Sequence, residues 1–154
     1  AHWNKIANTY NEEIFDVYKS DKNKRLIAYL DKNKGKQKSA IDFGCGNGKS
    51  FQYLSPRFKQ ILGVDISDEL LVQAGKMGFK NVTLAQGDLT KDTVSLGPCD
   101  FAFCCNVIMF TDQKKNKQFL KNIFNSLKPG GKALIILPSL DSAIFSSWRM
   151  IDLY

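Results

Sequence analysis

The sequence predicts an α/β fold built on a doubly wound, mostly parallel sheet with helices at its N-terminal end. Short apolar segments alternate along the chain with segments whose apolar residues recur every three or four positions, which is the spacing of amphipathic helices. The first apolar segment, 39–43, runs directly into a series of glycines. Such alternation is typical of βαβ units, in which parallel strands pair beneath crossover helices.

Two helices are predicted in the N-terminal segment, 1–38. Their apolar residues lie at helical spacing and are Ile14, Val17 and Tyr18 in one helix and Leu26, Ile27 and Leu30 in the next. A lysine-rich turn around Gly35 ends these helices, because glycine interrupts a helical pattern.

Five strands are predicted in the core of the domain, 39–138. They are 39–43, 60–64, 81–85, 100–107 and 132–137. The fourth is nearly continuous in apolar residues, as expected for a central parallel strand that is covered on both faces.

Two helices are predicted between these strands. Ser67 is placed to cap the first, which carries Leu70, Leu71 and Ala74. The second helix has its apolar residues on one side, and they are Phe119, Leu120, Ile123, Phe124 and Leu127. The run Lys128-Pro129-Gly130-Gly131 is predicted to stop this helix before the fifth strand.

Length and composition favour a single domain, 1–154. The chain has 154 residues, of which 44% are hydrophobic and 24% are charged. No apolar run is long enough to cross a bilayer, and the sequence does not open with a signal-peptide pattern. These features predict a cytoplasmic protein that does not interact with a membrane.

Much of the net charge of +7 comes from one stretch, 19–38. A basic face attracts phosphate without reading any sequence, so this stretch raises the question of nucleic acid. Its lysines are interspersed with Asp21 and Asp31, and no RNA-stacking aromatic motif accompanies them. The pattern favours a solvated helix face and a lysine-rich turn over a polyanion site.

The four cysteines favour reduced, buried thiols over a metal site. Cys99, Cys104 and Cys105 lie in or beside one apolar stretch, where thiols behave as small hydrophobic side chains. A zinc site needs paired cysteine or histidine spacings, whereas adjacent cysteines on a strand point to opposite faces. The single histidine, His2, lies at the N-terminal end. We therefore assign no metal and no catalytic histidine.

The glycines of segment 42–48 predict a site for a nucleotide-like ligand. A glycine-rich loop between a strand and a helix lets a ligand approach the backbone closely. A dinucleotide fingerprint needs its third glycine at position 49, which is Lys49, and a phosphate-binding loop ending in Gly48-Lys49-Ser50 needs a glycine in place of Phe43. The observed spacing, Gly-x-Gly-x-Gly, fits neither.

This loop resembles the first motif of the class I, Rossmann-like S-adenosylmethionine-dependent methyltransferases. The motif reads Asp42-Phe43-Gly44-Cys45-Gly46-Asn47-Gly48. The resemblance implies that the cofactor site includes Asp42, Gly44, Cys45, Gly46 and Gly48, with the carboxylate of Asp42 orienting the loop and the cofactor.

Further segments resemble the later motifs of this family in the same order. Asp65, which closes the second strand, is implied to accept hydrogen bonds from both ribose hydroxyls, with Ile66 beside it. Asp88 is implied to accept a hydrogen bond from the exocyclic amine of adenine, and Leu89 is implied to flank the ring. An aspartate-containing turn is the alternative for this segment.

The remaining motifs flank the methionine part of the cofactor. Cys105 and Asn106, at the end of the fourth strand, are implied to face it. Leu127–Gly131 matches the family's structural turn before the fifth strand. Tyr10 resembles the tyrosine with which small-molecule members cover the methionine carboxylate, although core packing explains this residue equally well.

The resemblance implies transfer of the sulfonium methyl group to a small organic acceptor by in-line displacement, leaving S-adenosylhomocysteine. The cofactor supplies the reactivity and the protein supplies alignment. Many members carry a histidine after the fourth strand, where this chain has Met109 and Phe110. We therefore name no general base, and the acceptor is not identified by the sequence.

The C-terminal part departs from the family pattern. Family domains continue past the fifth strand with a helix and an antiparallel hairpin, and segment 139–154 is implied to begin the region that walls the acceptor site. An amphipathic helix packed on the sheet is the alternative. An uncovered apolar strand at 133–137 would be an association hazard. We therefore expect a longer protein, an incompletely observed chain, or an oligomer or other partner that covers this edge.

Two other functions are compatible with the sequence. A cofactor-binding domain that has lost transfer activity has the same fold and the same ligand. Methylation of RNA or protein draws on the basic charge, although the chain lacks the Asn/Asp-Pro-Pro-Tyr/Phe motif of base amino methylation. A nicotinamide-dependent oxidoreductase is disfavoured by Lys49.

Overall fold

The computed structural model describes residues 2–5, 7, 10, 16–91 and 96–139. The helices in these ranges are α1 (His2–Lys5), α2 (Val17–Ser20), α3 (Arg25–Asn33), α4 (Phe51–Leu54), α5 (Asp68–Lys76) and α6 (Gln113–Asn125). The strands are β1 (Gly35–Phe43), β2 (Phe58–Asp65), β3 (Val82–Gln86), β4 (Cys99–Cys105) and β5 (Leu127–Ile136). Ile14 and segment 140–154, on which predictions were made, lie outside the described residues.

The five described strands form one parallel sheet in the order β3-β2-β1-β4-β5. The chain moves outward in one direction from β1 through β2 to β3, then returns to β4 on the other side of β1. The strand order therefore reverses between β1 and β4. In open α/β sheets ligands bind in the crevice outside the carboxyl ends of the strands at such a reversal. The predicted doubly wound fold is confirmed.

Each face of the sheet is covered by its own hydrophobic cluster. One cluster joins alternate strand residues such as Ala40 and Phe101 to side chains of α3, α4 and α5. The other joins the intervening residues, such as Ile41 and Ala102, to Phe119 of α6. Because side chains alternate along a strand, a strand buried on both faces must be apolar at nearly every position. This requirement explains the continuous apolar run in β4.

Two predicted turns lie inside strands rather than before them. The pairing of β1 with β2 shifts between Gly35 and Ser39, so the lysine-rich segment is an irregularity within β1. The pairing of β4 with β5 shifts in the same way between the partners of Cys99 and Phe101. Segment 128–131 therefore does not stop α6, which ends at Asn125. Proline without an N–H and glycine without a side chain suit such an interruption of the ladder.

The ends of α5 and α6 follow from their capping residues. Ser67 caps α5 as predicted, with Oγ accepting a hydrogen bond from the Leu70 amide at 3.2 Å. Asp112 caps α6 through the Lys114 amide. The apolar face predicted for α6 is wrong at three positions, because Leu120 is 43% and Phe124 75% exposed and Leu127 belongs to β5. Leu120 and Phe124 lie off the stripe that faces the sheet.

The two predicted N-terminal helices correspond to α2 and α3. α2 has four residues and is capped by Asp16, whose Oδ1 accepts hydrogen bonds from the amides of Tyr18 and Lys19. α3 buries Leu26 and Leu30, as its periodicity predicts. α2 places Asp16 and Tyr18 beside the carboxyl end of β1, where they enter the site described next.

Candidate functional site

The candidate site lies at the carboxyl ends of β1 and β4, where the strand order reverses. Two neighbouring cavities open there, of about 200 Å³ and about 50 Å³. Tyr10, Gly44 and Asn106 line both of them. The two cavities therefore flank the start of the glycine loop, one on each side of these three residues.

The glycine loop is fastened to the end of β2. The amides of Gly44 and Cys45 both donate to the Val64 carbonyl, at 2.8 and 3.0 Å. Gly46 has a φ of 53°, and a Cβ at this position would lie 2.6 Å from the Tyr10 hydroxyl. The left-handed backbone and the close approach of Tyr10 together explain why a glycine occupies this position.

Asp65 ties the glycine loop to the turn that follows β2. Its Oδ2 accepts a hydrogen bond from the Gly46 amide at 2.8 Å, and its Oδ1 accepts one from the Ser67 amide at 2.9 Å. Burial raises the pKa of this carboxyl, and the backbone donors oppose the increase. Each carboxylate oxygen has a second lone pair, so Asp65 can accept further hydrogen bonds from a ligand in the larger cavity, which it lines.

Apolar and polar groups share the wall of the larger cavity. Ile66, Leu89, Phe110 and Phe119 provide apolar surface, and Asp88 lies among them. Few polar groups on a mostly apolar wall are typical of a small-molecule site, where they fix the orientation of the ligand.

Asp88 and Leu89 leave β3 together at the wall of this cavity. Asp88 Oδ1 accepts hydrogen bonds from the Thr90 hydroxyl at 2.6 Å and the Thr90 amide at 3.0 Å. The Thr90 hydroxyl is the main reason that the pKa of Asp88 lies below its usual range. Both readings of this segment are thus compatible with the geometry, since the aspartate forms a turn and also lines the cavity.

The smaller cavity is lined by a buried carboxyl, Asp42, at the end of β1. Asp42 is 2% exposed, and the Ser50 hydroxyl donates a short hydrogen bond to its Oδ2. Burial raises the pKa of Asp42 to about 7, with the Ser50 hydrogen bond opposing this and the charge of Asp65 adding to it. A buried carboxyl without a nearby cation favours its neutral form in this way.

Charge at the mouth of the smaller cavity is carried by an ion pair between α2 and the loop. Asp16 Oδ2 and Lys49 Nζ are 3.0 Å apart, and both residues line the cavity. The Lys49 position, which excluded the dinucleotide fingerprint in the sequence, thus fastens the N-terminal part of the chain to the glycine loop.

The end of β4 contributes Cys105 and Asn106. Cys105 lines the smaller cavity, and burial raises the pKa of its thiol to about 12. Asn106 has a φ of 58°, and its amide donates to the Ile136 carbonyl at 2.9 Å. A left-handed conformation is uncommon outside glycine and is tolerated by asparagine. This backbone bend places Asn106 against both cavities.

The structure brings most of the predicted site residues together. The predicted residues that line at least one cavity are Tyr10, Asp42, Gly44, Cys45, Asp65, Ile66, Asp88, Leu89, Cys105 and Asn106. Gly46 and Gly48 line neither cavity and instead shape the loop, Gly46 against Tyr10 and Gly48 against Phe51. The acceptor wall predicted for 139–154 lies outside the described residues, apart from Ser139.

Several lining residues were not in the predicted site. They include Tyr18, Lys49 and Ser50 in the smaller cavity and Phe110, Lys115 and Phe119 in the larger one. Ser50 follows the glycine motif closely enough to have been noticed. Tyr18 and Phe119 carry no such signal, because aromatic residues at helical spacing indicate core packing.

Two other features bear on the site. Within the described ranges, no three His, Cys, Asp or Glu side chains are grouped as a metal site requires. No helix in the same ranges has the length and apolar character needed to cross a membrane.

Among curated proteins the chain is similar to the trans-aconitate 2-methyltransferase of Deinococcus radiodurans. The two are 28% identical over 101 residues, which cover 64% of this chain and 37% of that enzyme. The chain is also 28% identical over 160 residues to a methyltransferase of Geobacillus, covering 96% of this chain and 62% of that protein. The chain thus spans less than two thirds of the length of these relatives.

Solved structures share the fold. A complex of DhpI with SAM and HEP superposes with a TM-score of 0.79 at 18% identity, over 96% of this chain and 68% of that chain. An S-adenosylmethionine-dependent methyltransferase from Clostridium acetobutylicum superposes with a TM-score of 0.66 at 27% identity, over 86% of this chain and 56% of that chain.

The family follows from a match that contains the site. The family model described as a methyltransferase domain matches residues 40–131. That range holds the glycine loop, Asp65, Asp88 and the end of β4, which form the walls of the two cavities. The chain therefore belongs to the methyltransferase-domain family, class I, whose methyl donor is S-adenosylmethionine.

Proposed function

We propose that this chain transfers the methyl group of S-adenosylmethionine to a small organic acceptor. The observation that carries the proposal is the position of Asp65, a carboxylate at the end of β2 that binds the Gly46 amide and lines the larger cavity. Within a methyltransferase family, a carboxylate with free lone pairs beside the glycine loop suits the two ribose hydroxyls.

The adenosine part of the cofactor fits the larger cavity in this proposal. Asp65 would accept hydrogen bonds from the ribose hydroxyls, and Ile66 lies next to it on the cavity wall. Asp88 would accept a hydrogen bond from the exocyclic amine of adenine. Leu89, 4% exposed, and Phe119, 2% exposed, offer rigid apolar surface on which the ring can pack.

The methionine part fits the smaller cavity, on the other side of Gly44. Asp42 and Cys105 line this cavity, and Tyr10 and Asn106 stand where the two cavities meet. The donor set agrees with a ligand that carries positive charge, because no lysine or arginine in the described part of the chain is paired with Asp42 or Asp65.

The bound cofactor supplies an activated methyl group, which leaves a sulfonium centre by in-line displacement. The protein's contribution is alignment of the acceptor with that methyl group and exclusion of water. Met109 and Phe110 follow β4 where many family members have a histidine. We therefore assign no general base, and an acceptor with an acidic or already nucleophilic group needs none.

A small organic acceptor is favoured over RNA by the distribution of charge. Lys36 and Lys38 lie near the start of β1, at the opposite end of the strand from the glycine loop. At the loop itself, Asp16, Asp42 and Asp65 surround the cavities and Lys49 is paired with Asp16, while Lys115 on the wall of the larger cavity is offset by Asp88. This arrangement does not suit a polyanion. The relative named for trans-aconitate also supports a small acceptor.

Transfer of radiolabelled methyl groups tests the proposal. The protein would be incubated with methyl-labelled S-adenosylmethionine in three separate reactions, which contain extracted small metabolites, RNA or protein as the acceptor. We expect label in the metabolite pool, lost in Asp65→Ala. Label in RNA or protein alone would replace the small acceptor with a macromolecule. Cofactor binding without any transfer would favour a non-catalytic binding domain.

The cytoplasmic location stays a prediction.

A further inference from the structure

Within the described residues, no lysine or arginine forms an ion pair with Asp42. Asp42 is fully buried at the end of β1 and lines the smaller cavity. The titratable and hydroxyl groups that act on it or respond to it are Tyr10, Tyr18 of α2, Cys45 of the loop, Ser50, Asp65 of β2, and Cys104 and Cys105 of β4. None of these groups is cationic. Lys49, which lines the same cavity, is engaged with Asp16.

Ser50 holds the carboxyl of Asp42 in a fixed orientation. Its hydroxyl donates to Asp42 Oδ2, and Ser50 is itself only 5% exposed. Tyr18 lines the same cavity as Ser50 and interacts with it. The Tyr18 ring is stacked on Tyr53, with centroids 4.4 Å apart. The orientation of Asp42 is therefore set by packed groups rather than by solvent.

We propose that Asp42 carries a proton in the ligand-free protein and releases it when the cationic methionine part of the cofactor enters the smaller cavity. The proposal rests on the proposed function. In this exchange the carboxyl O–H bond breaks, the proton passes to solvent, and the carboxylate becomes the counter-charge of the ligand ammonium. Ser50 is a positioning residue in this step, because its hydrogen bond stabilises the ionised form of Asp42.

The direction of the pH dependence follows from the local charges. Burial raises the pKa of Asp42 to about 7 in the ligand-free protein. A cation within about 4–6 Å lowers the pKa of a carboxyl by about 1–3. Ligand binding is therefore weakened when Asp42 must first lose its proton, which is the case below about pH 7. Well above that pH, Asp42 is already ionised and the affinity no longer changes with its protonation.

Calorimetric titration with S-adenosylhomocysteine between pH 5.5 and 7 tests the inference. This ligand is stable and retains the ammonium group. We expect its affinity to rise about three- to eightfold from pH 5.5 to 6.5 and to rise less steeply from pH 6.5 to 7. Titrations at pH 6 in two buffers of different ionisation enthalpy should give a release close to one proton per ligand bound.

Two variants and one second ligand separate Asp42 from other titrating groups. In Asp42→Asn the affinity should be nearly constant between pH 5.5 and 7, and proton release should disappear. In Ser50→Ala the rise in affinity should move to higher pH, because the ionised carboxylate loses a donor. 5′-Methylthioadenosine, which lacks the amino acid part, should bind the wild-type protein without this pH dependence. Asp100→Asn is the matched control and should behave as wild type.

The outcomes distinguish this inference from the proposed function. Binding of both ligands with no pH dependence between pH 5.5 and 7, or the same pH dependence in Asp42→Asn as in wild type, would overturn the role of Asp42 and leave the cofactor site standing. Failure of both ligands to bind at any pH would overturn the proposed function, and the inference would fall with it.

Discussion

The aspartates at the two ends of the sheet lie in opposite environments, which shift their pKa values in opposite directions. At the carboxyl ends of the strands, Asp42 and Asp65 are buried and have raised pKa values because of burial, and no cation among the described residues is paired with them. At the amino ends, Asp100 binds Lys128 at 2.9 Å, and the Lys128 hydrogen bond holds the pKa of Asp100 below its usual range. Asp31 has a lowered pKa for the same reason, its partner being Arg57.

This difference indicates which end of the sheet is adapted to a ligand. The charge of a paired, partly exposed aspartate is balanced by its partner and by solvent. A buried aspartate without a cation reduces stability unless another group, such as a bound ligand, balances its charge. Perturbed carboxyls in a cavity are typical of functional sites. The contrast between Asp42 and Asp65 on one side and Asp100 on the other can be tested by substitution at both ends.

The largest effect is expected for Asp65→Ala on cofactor affinity. Loss of two hydrogen bonds to a charged acceptor costs roughly 3–6 kcal/mol, or more than a hundredfold in Kd. Because Asp65 also binds the Gly46 and Ser67 amides, the variant should lose some stability as well. Calorimetry with S-adenosylhomocysteine measures the affinity, and circular dichroism checks the fold. Unchanged affinity in a folded variant would show that the ribose lies elsewhere.

Asp42→Asn should stabilise the ligand-free protein at pH 8. With a folded pKa of about 7, against about 3.9 when unfolded, Asp42 keeps its proton longer in the folded state, so its unfavourable contribution grows as pH rises from about 4 to 7. The variant removes this contribution, and we expect a gain of roughly 2–4 kcal/mol at pH 8 that disappears near pH 4. Urea unfolding at both pH values measures it. A loss of stability at pH 8 would mean that Asp42 is compensated in the empty protein.

Gly46→Ala should weaken cofactor binding through the loop. The added Cβ would lie 2.6 Å from the Tyr10 hydroxyl at a φ of 53°, so Tyr10 or the loop must shift. A cost of roughly 1–3 kcal/mol is expected, with part of it in affinity. Gly78→Ala is the matched control, because its φ is also positive, at 71°, with nothing within 4 Å of the added Cβ. Equal cofactor affinities of the two variants would show that the geometry of the loop at Gly46 does not affect binding.

The smallest effect is expected at the opposite end of the sheet. Asp100→Asn removes the partly exposed ion pair with Lys128 and should reduce stability by less than about 1 kcal/mol at pH 7. The lowered pKa of Asp100 means that this contribution is present at neutral pH and is lost as pH falls through the folded pKa. Thermal unfolding at pH 7 and pH 3 measures it. A large change in cofactor affinity would contradict the separation of the two ends.

The sequence was sufficient for the parts of the site that are local in the chain. The glycine spacing predicted the loop, and an acid at the end of the second strand predicted Asp65, because each signal lies within a few residues of the element that positions it. The doubly wound fold was also predictable, since right-handed crossovers leave few arrangements for alternating strands and helices.

The remaining parts depend on contacts between distant segments. The contact of Tyr18 with Ser50 and the ion pair of Asp16 with Lys49 join α2 to the loop across more than thirty residues. The register shift at segment 128–131 depends on pairing with β4. The exposure of Phe124 follows from the face of α6 that packs on the sheet, which is the face of Phe119 and Ile123. Periodicity within one segment does not contain this information.

Calorimetry with S-adenosylmethionine, S-adenosylhomocysteine and NAD tests the central claim most directly. We expect the first two ligands to bind, because the glycine loop and the buried carboxyls of Asp42 and Asp65 lie together at the carboxyl end of the sheet. Binding of both ligands should be lost in Asp65→Ala. NAD should bind far more weakly, because Lys49 stands where the dinucleotide fingerprint needs a glycine. Tight binding of NAD, with no binding of either methyl-transfer ligand, would contradict the account.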